Sequence, residues 1–209
     1  IRCAFRRVVP LFVIRNWKVT DRSSSMLVMK HEAFRHIEIE LFVRRNRLAE
    51  ALEYAQDVLT VAGGREATLP TDNQRRIEEL GMHEALAGLH DKYCHHYPIC
   101  VRRVCPDDTL ISMASDEGED WYAISFISYA KPAQRAGFFQ CANFMAKSMA
   151  RLFAARPHWG KVCPLDATEL AALYPRFDRF RAVSISLDPE GLFHNCWTAT
   201  LLAPAEETS

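Results

Sequence analysis

Residues 36–43 read HIEIELFV, and Ile37, Ile39 and Leu41 alternate there with Glu38, Glu40 and Phe42. Period two is the mark of a half-buried strand, apolar toward a core and different on its other side. Such a strand asks for a sheet with packed elements against one face. The following residues supply a candidate: Leu48, Leu52, Ala55, Leu59 and Ala62 recur at helical spacing until Gly63-Gly64 stops the pattern. Residues 65–76 are polar, contain Pro70 and predict a loop, with a shorter helix over 76–90.

Further strands are predicted at residues 98–104 and, most clearly, at Trp121–Tyr129, which is dense in aromatic and β-branched residues. An acidic turn at 116–120 separates them. Residues 138–155 predict a long helix with Phe139, Phe144, Met145, Met149, Leu152 and Phe153 on its apolar face, ended by Pro157. Asp166, with Glu169 three residues on, predicts the start of another helix, which Pro175 closes. Residues 188–191 predict a turn and 204–209 a frayed tail. Residues 1–30 read as strands broken by the polar run 20–25. Strands recur without strict βαβ alternation. The pattern predicts an α+β fold, a mainly antiparallel sheet with helices on one face, plus a short helical C-terminal segment.

Charge balance narrows the partners. The 26 Lys and Arg equal the 26 Asp and Glu, which argues against a general nucleic-acid binder. The longest apolar run, VVPLFVI at 8–14, falls far short of the roughly 20 residues a membrane helix needs. None of the 8 glycines sits in a GxGxxG or GxxxxGK pattern, so no phosphate-cradling loop is visible. The 7 cysteines are odd in number and scattered, which fits a reducing, cytoplasmic setting. The start at Ile1 without a signal peptide reads as part of a longer polypeptide.

Three groups of residues invite chemistry. Cys94-His95-His96, near Cys100 and Cys105, suggests tetrahedral zinc, yet the spacing matches no ribbon or finger; a His-rich loop with thiols acting as small hydrophobes is the alternative, and no metal is predicted. Arg102 and Arg103 lie side by side on a predicted strand, so they point to opposite faces. The inward one needs a carboxylate, a carbonyl or a ligand; Glu38 and Glu40 are candidates for an ordinary salt bridge. In the run Arg156-Pro157-His158-Trp159-Gly160-Lys161, Pro157 and Gly160 restrict the backbone, and His158, Trp159 and Lys161 can project into a cleft, where a lysine stabilises developing negative charge. Alternatively Trp159 fills core and Lys161 is a surface charge. No GxSxG elbow is present.

The run RPHWGK at 156–161 resembles a signature of the sugar-1,4-lactone oxidases, the group of D-arabinono-1,4-lactone oxidase, L-gulonolactone oxidase and alditol oxidase. Further blocks agree in order. EIELFV at 38–43 is similar to the family's E-x-E-Y-F-V-P, and YPICVR at 97–102 to F-P-I-E-V-R. Asp107-Asp108 with Leu110-Ile111-Ser112 is similar to D-D-x-x-L-S. LYPRF at 173–177 and LDPEGLFHN at 187–195 are similar to L-Y-P-R-F and L-D-P-x-G-x-F-x-N. The resemblance runs from about residue 19 to 201.

It implies part of an FAD-dependent oxidoreductase of the vanillyl-alcohol-oxidase type that passes a hydride from a carbinol carbon of a sugar lactone or polyol to the flavin. Residues 1–155 would be the substrate (cap) domain, and 156–209 a segment packing toward a flavin domain that lies in the same polypeptide or a companion chain and is absent from this one. Arg102 matches the arginine of the family's E-x-R motif, implied to bind substrate oxygens. Lys161 is implied to stand by the flavin and stabilise its reduced anion, with His158 shaping the flavin pocket. Cys100, implied to lie at the substrate, departs from the pattern: it stands where the family has the glutamate of E-x-R, and a thiol does not replace a carboxylate. A non-catalytic binding module derived from the family is the alternative this departure raises.

Overall fold

In a computed structural model of the chain, the described residues are 36–115, 118–129 and 132–202, with a few isolated positions nearer the start. The strands expected over 1–30, part of the acidic turn and the tail at 204–209 lie outside them, almost entirely so for the first. The chain divides after His36 into two compact units. The second holds nearly all of strand β1 (His36–Arg44) and every later element. These are α1 (Leu48–Ala62), α2 (Thr71–Glu79), α3 (His83–Ala87), β2 (Cys100–Val104), β3 (Trp121–Tyr129), α4 (Pro132–Phe153), β4 (Arg156–Pro157), α5 (Ala167–Leu173), α6 (Phe177–Leu187) and α7 (Cys196–Leu202).

The four strands form one antiparallel sheet in the order β2-β3-β1-β4. Alternation along β1 and β3 sorts its two faces. Ile39, Leu41 and Val43 join Ile124 and Phe126 in a core with Ala51, Tyr54, Ala55 and Val58 of α1 and Phe138, Met145 and Met149 of α4. This is the covered face. The other carries Glu38, Glu40, Ser125 and a small cluster of Phe42, Trp121 and Ala123 with Ala114. The architecture is the α+β sheet that the strand pattern predicts.

Local chemistry moves several boundaries. The helix expected over 76–90 is two helices. Gly81 takes φ 66°, Gly81 N–H donates to Glu78 O and Met82 N–H to Ile77 O, which ends α2 before α3 can start. Thr71, directly after Pro70, already opens α2. Helix α4 begins ahead of residue 138, and Phe138, not Phe139, faces the core; Phe139 is 36% exposed. That helix stops at Phe153, with Ala154 at φ 52°, because the proline at 157 requires Arg156 to be extended. Asp166 and Glu169 form the expected capping box: Glu169 N–H donates to Asp166 Oδ1 at 2.9 Å and Asp166 N–H to Glu169 Oε2 at 3.1 Å.

Arg156 fastens β4 to the rest of the unit. Its guanidinium, 2% exposed, lies 4.4 Å from the ring centres of both Trp121 and Tyr174. It donates to Ser115 O (2.9 Å) and Leu173 O (2.8 Å), joining a loop, a strand and α5.

Gly137 marks the closest approach of α4 to the loop after α3. A Cβ there would sit 2.0 Å from the Lys92 carbonyl oxygen. Gly137→Ala is expected to lower stability by about 2 kcal/mol despite alanine's better helix propensity, since backbone has to move. Thermal unfolding checks this; an unchanged melting temperature would contradict the packing described.

Candidate active site

Residues from β1, β2, β3 and the turn after β4 meet on the open face of the sheet. Their centre is Glu40, 1% exposed. Its Oε1 accepts hydrogen bonds from the Arg102 guanidinium and from Ser125 Oγ (2.9 Å), and its Oε2 accepts from Lys161 Nζ (2.8 Å). Lys161 Nζ also donates to Glu38 Oε1 at 2.7 Å. Register explains the convergence. Arg102 pairs with Ala123 and Cys100 with Ser125, so these four share a face. Lys161 arrives because the chain after β4 keeps following β1: His158 N–H donates to Glu40 O (2.9 Å) and Val162 N–H to Glu38 O (3.3 Å).

A buried carboxylate is costly without cations, and here two compensate it. Burial alone would raise the Glu40 pKa; the hydrogen bonds from Lys161, Arg102 and Ser125 outweigh that and hold it below the usual carboxylate value. The cations are not used up. Lys161 spends two of its three donors, and the Arg102 side chain is 61% exposed. His158 sits beside them. Burial and the Lys161 charge push its pKa down, which favours the neutral ring. Its Nδ1 accepts the Gly160 N–H at 3.0 Å, which leaves the proton on Nε2.

Of the residues singled out in the sequence, Arg102, Lys161, His158 and Cys100 come together. Arg102 and Arg103 do point to opposite faces, Arg103 pairing with Asp120 at 2.7 Å. Trp159 does not project into a cleft: it stacks on Phe177 with ring centres 6.3 Å apart and donates from Nε1 to Ile111 O at 2.9 Å. In the sequence Glu40 stands out as a possible salt-bridge partner and as part of the EIELFV block, with no sign of a central role. Its central place follows from its position between two core residues of β1, which forces a carboxylate into the sheet.

Among the described residues no group of three or more His, Cys, Asp and Glu is placed to hold a metal ion. His95 lies 2.9 Å from the Tyr93 hydroxyl, and His96 stacks on Tyr129. Two clefts of about 340 Å³ lie apart from the Glu40 cluster, one between α1 and β2 and one between α6 and α7.

Burial, with His96 adding to it, lowers the His95 pKa from 6.5 to about 4. The folded state therefore binds fewer protons than the unfolded one in that window, and stability is complete above pH 6.5 and lost as pH falls toward 4. Glu40, also depressed, extends the loss below its unfolded value. Urea unfolding between pH 7 and pH 4 should show the decline, and His95→Gln should flatten it. The same slope in the variant would contradict the assignment.

The profile of the D-arabinono-1,4-lactone oxidase family matches residues 4–201. A long-chain alcohol oxidase from an uncultured marine euryarchaeote is 74% identical over 202 residues, 97% of this chain and 42% of that protein. An alditol oxidase from a Streptomyces species is 50% identical over 128 residues, 61% of this chain and 29% of that one. An L-gulono-1,4-lactone dehydrogenase from Mycobacterium tuberculosis is 37% identical over 108 residues, 52% and 24% of the two chains. This chain spans less than half the length of each. Since the profile runs through every strand and helix that shapes the Glu40 cluster, the chain belongs to the D-arabinono-1,4-lactone oxidase family.

Proposed function

We propose that the chain is the substrate-side portion of an FAD-dependent oxidoreductase acting on the CH–OH group of an alcohol, polyol or sugar lactone. The observation that carries this reading is the convergence of Arg102 and Lys161, far apart in sequence, on one buried carboxylate. The family is one of FAD-dependent oxidases, and the named relatives act, by their names, on a long-chain alcohol, an alditol and a gulonolactone.

The donor set fits the ring end of a flavin and not its pyrophosphate. Lys161 keeps an N–H for a carbonyl edge, and His158 offers a neutral Nε2–H. No Gly-rich phosphate loop occurs in the sequence. FAD, when bound, supplies the acceptor for a hydride from the carbinol carbon. The chain's own residues bind and orient. The Arg102 guanidinium grips substrate oxygens with the donors that Glu40 leaves open. Lys161 holds a fixed positive charge beside the reacting atoms, and Glu38 and Glu40 keep its ammonium from swinging to solvent.

The flavin-binding domain belongs, in this reading, to the length of the relatives that this chain does not span. Residues Ile185, Leu187, Leu192 and Phe193, 63–85% exposed on and after α6, supply an apolar surface for it. A non-catalytic binding module is the second reading, favoured by the thiol of Cys100 in place of the family's glutamate.

In the full-length, flavin-loaded polypeptide, anaerobic mixing with alkanols, polyols and sugar lactones should bleach the flavin absorbance with one of these classes. Lys161→Met and Arg102→Lys should each slow bleaching by about 10²–10³-fold. A wild-type flavin that none of them bleaches would favour the binding module, and unchanged rates in the variants would remove both residues from the mechanism.

A further inference from the structure

The open face does not end at the charged cluster. Beyond Ser125 the same-face residues of β3 are Ile127 and Tyr129. Tyr129 is 36% exposed, and the His96 ring lies almost parallel to it, 4.6 Å between centres and 19° between planes. Tyr97 closes the group at 5.1 Å from Tyr129 and 4.7 Å from His96. From Ser125 to Tyr129 is four residues, about 13 Å along the strand. The surface thus passes from cations at Arg102 and Lys161, over the thiol of Cys100 opposite Ser125, to an aliphatic side chain and then to an aromatic platform.

We propose that Ile127, Tyr129 and His96 form an apolar subsite for the alkyl tail of a linear primary alcohol whose hydroxyl end lies at Arg102 and Lys161, and that Cys100 sets this preference over polyols. The proposal rests on the oxidoreductase reading and names its substrate class. A polyol presents a hydroxyl on every carbon, and those over Cys100 and Ile127 would lose water without gaining a strong partner, because a thiol is a weak donor and acceptor. A carboxylate at position 100 would serve such hydroxyls; the thiol serves methylenes. Reach points the same way: a platform some 13 Å from Ser125 lies beyond a five- or six-carbon lactone held at Arg102, whereas an alkyl chain of about ten carbons or more lies across it.

The test uses the full-length flavoprotein and the series hexan-1-ol, octan-1-ol, decan-1-ol and dodecan-1-ol beside xylitol; at about 1.25 Å per methylene the last two reach the platform. The efficiency of flavin reduction should rise about twofold per methylene, since one side of the tail stays open to water. Tyr129→Ala should flatten that rise beyond octan-1-ol, where the tail first reaches the ring, and Cys100→Glu should lower dodecan-1-ol and raise xylitol by about tenfold each. No dependence on chain length, or the same slope in Tyr129→Ala, overturns the subsite. Calorimetric titration with dodecan-1-ol, long enough to reach Tyr129, separates this from failure of the oxidase reading. Binding that Tyr129→Ala abolishes, without flavin reduction, keeps the subsite and removes the enzyme; absence of binding removes the subsite whatever the flavin does.

Discussion

One carboxylate inside a sheet dictates much of this structure. Glu40 lies between Ile39 and Leu41, which both belong to the core, so it can leave neither the strand nor the layer. An ionised group held there needs cations delivered to it, and β2 delivers Arg102 while the chain after β4 delivers Lys161. Withdrawing either one leaves the buried carboxylate with a single cation, a loss softened at Arg102 by its 61% exposure to water. The arrangement therefore ties the middle of the sheet to both of its edges.

That tie depends on how the last strand is seated. Arg156 stands between the Trp121 and Tyr174 rings and reaches carbonyls on either side, while its neighbour Pro157 occupies an edge position where a missing N–H costs nothing. Trp159 then packs on Phe177 and anchors the turn that carries His158 and Lys161. Within six residues, alternate side chains serve structure and the charged face. The covered face, with α1 and α4, contributes rigidity; the open face holds the side chains to which the function is ascribed.

The sequence declares much of this. Alternation at 37–42 and the aromatic run at Trp121–Tyr129 identify the central strands, and the capping box at Asp166 fixes the start of α5 to the residue. The opposite facing of Arg102 and Arg103 also follows from period two alone. The misses have local causes. Gly81 in a left-handed conformation splits a helix that periodicity reads as one. Phe138 and Phe139 are equivalent to a reader of periodicity, and only the approach of α4 to the loop at Lys92 decides which is buried. The convergence on Glu40 is a matter of strand order, β2-β3-β1-β4, which no local pattern encodes.

If Glu40 is the common anchor, Arg102 and Lys161 are coupled through it without touching each other. A double-mutant cycle on the rate of flavin reduction in the full-length protein measures that coupling most directly. Arg102→Lys and Lys161→Met should combine non-multiplicatively when Glu40 is present and multiplicatively once Glu40→Gln is added. Equal coupling with and without Glu40→Gln, or none in either background, would contradict a shared carboxylate as the basis of the site.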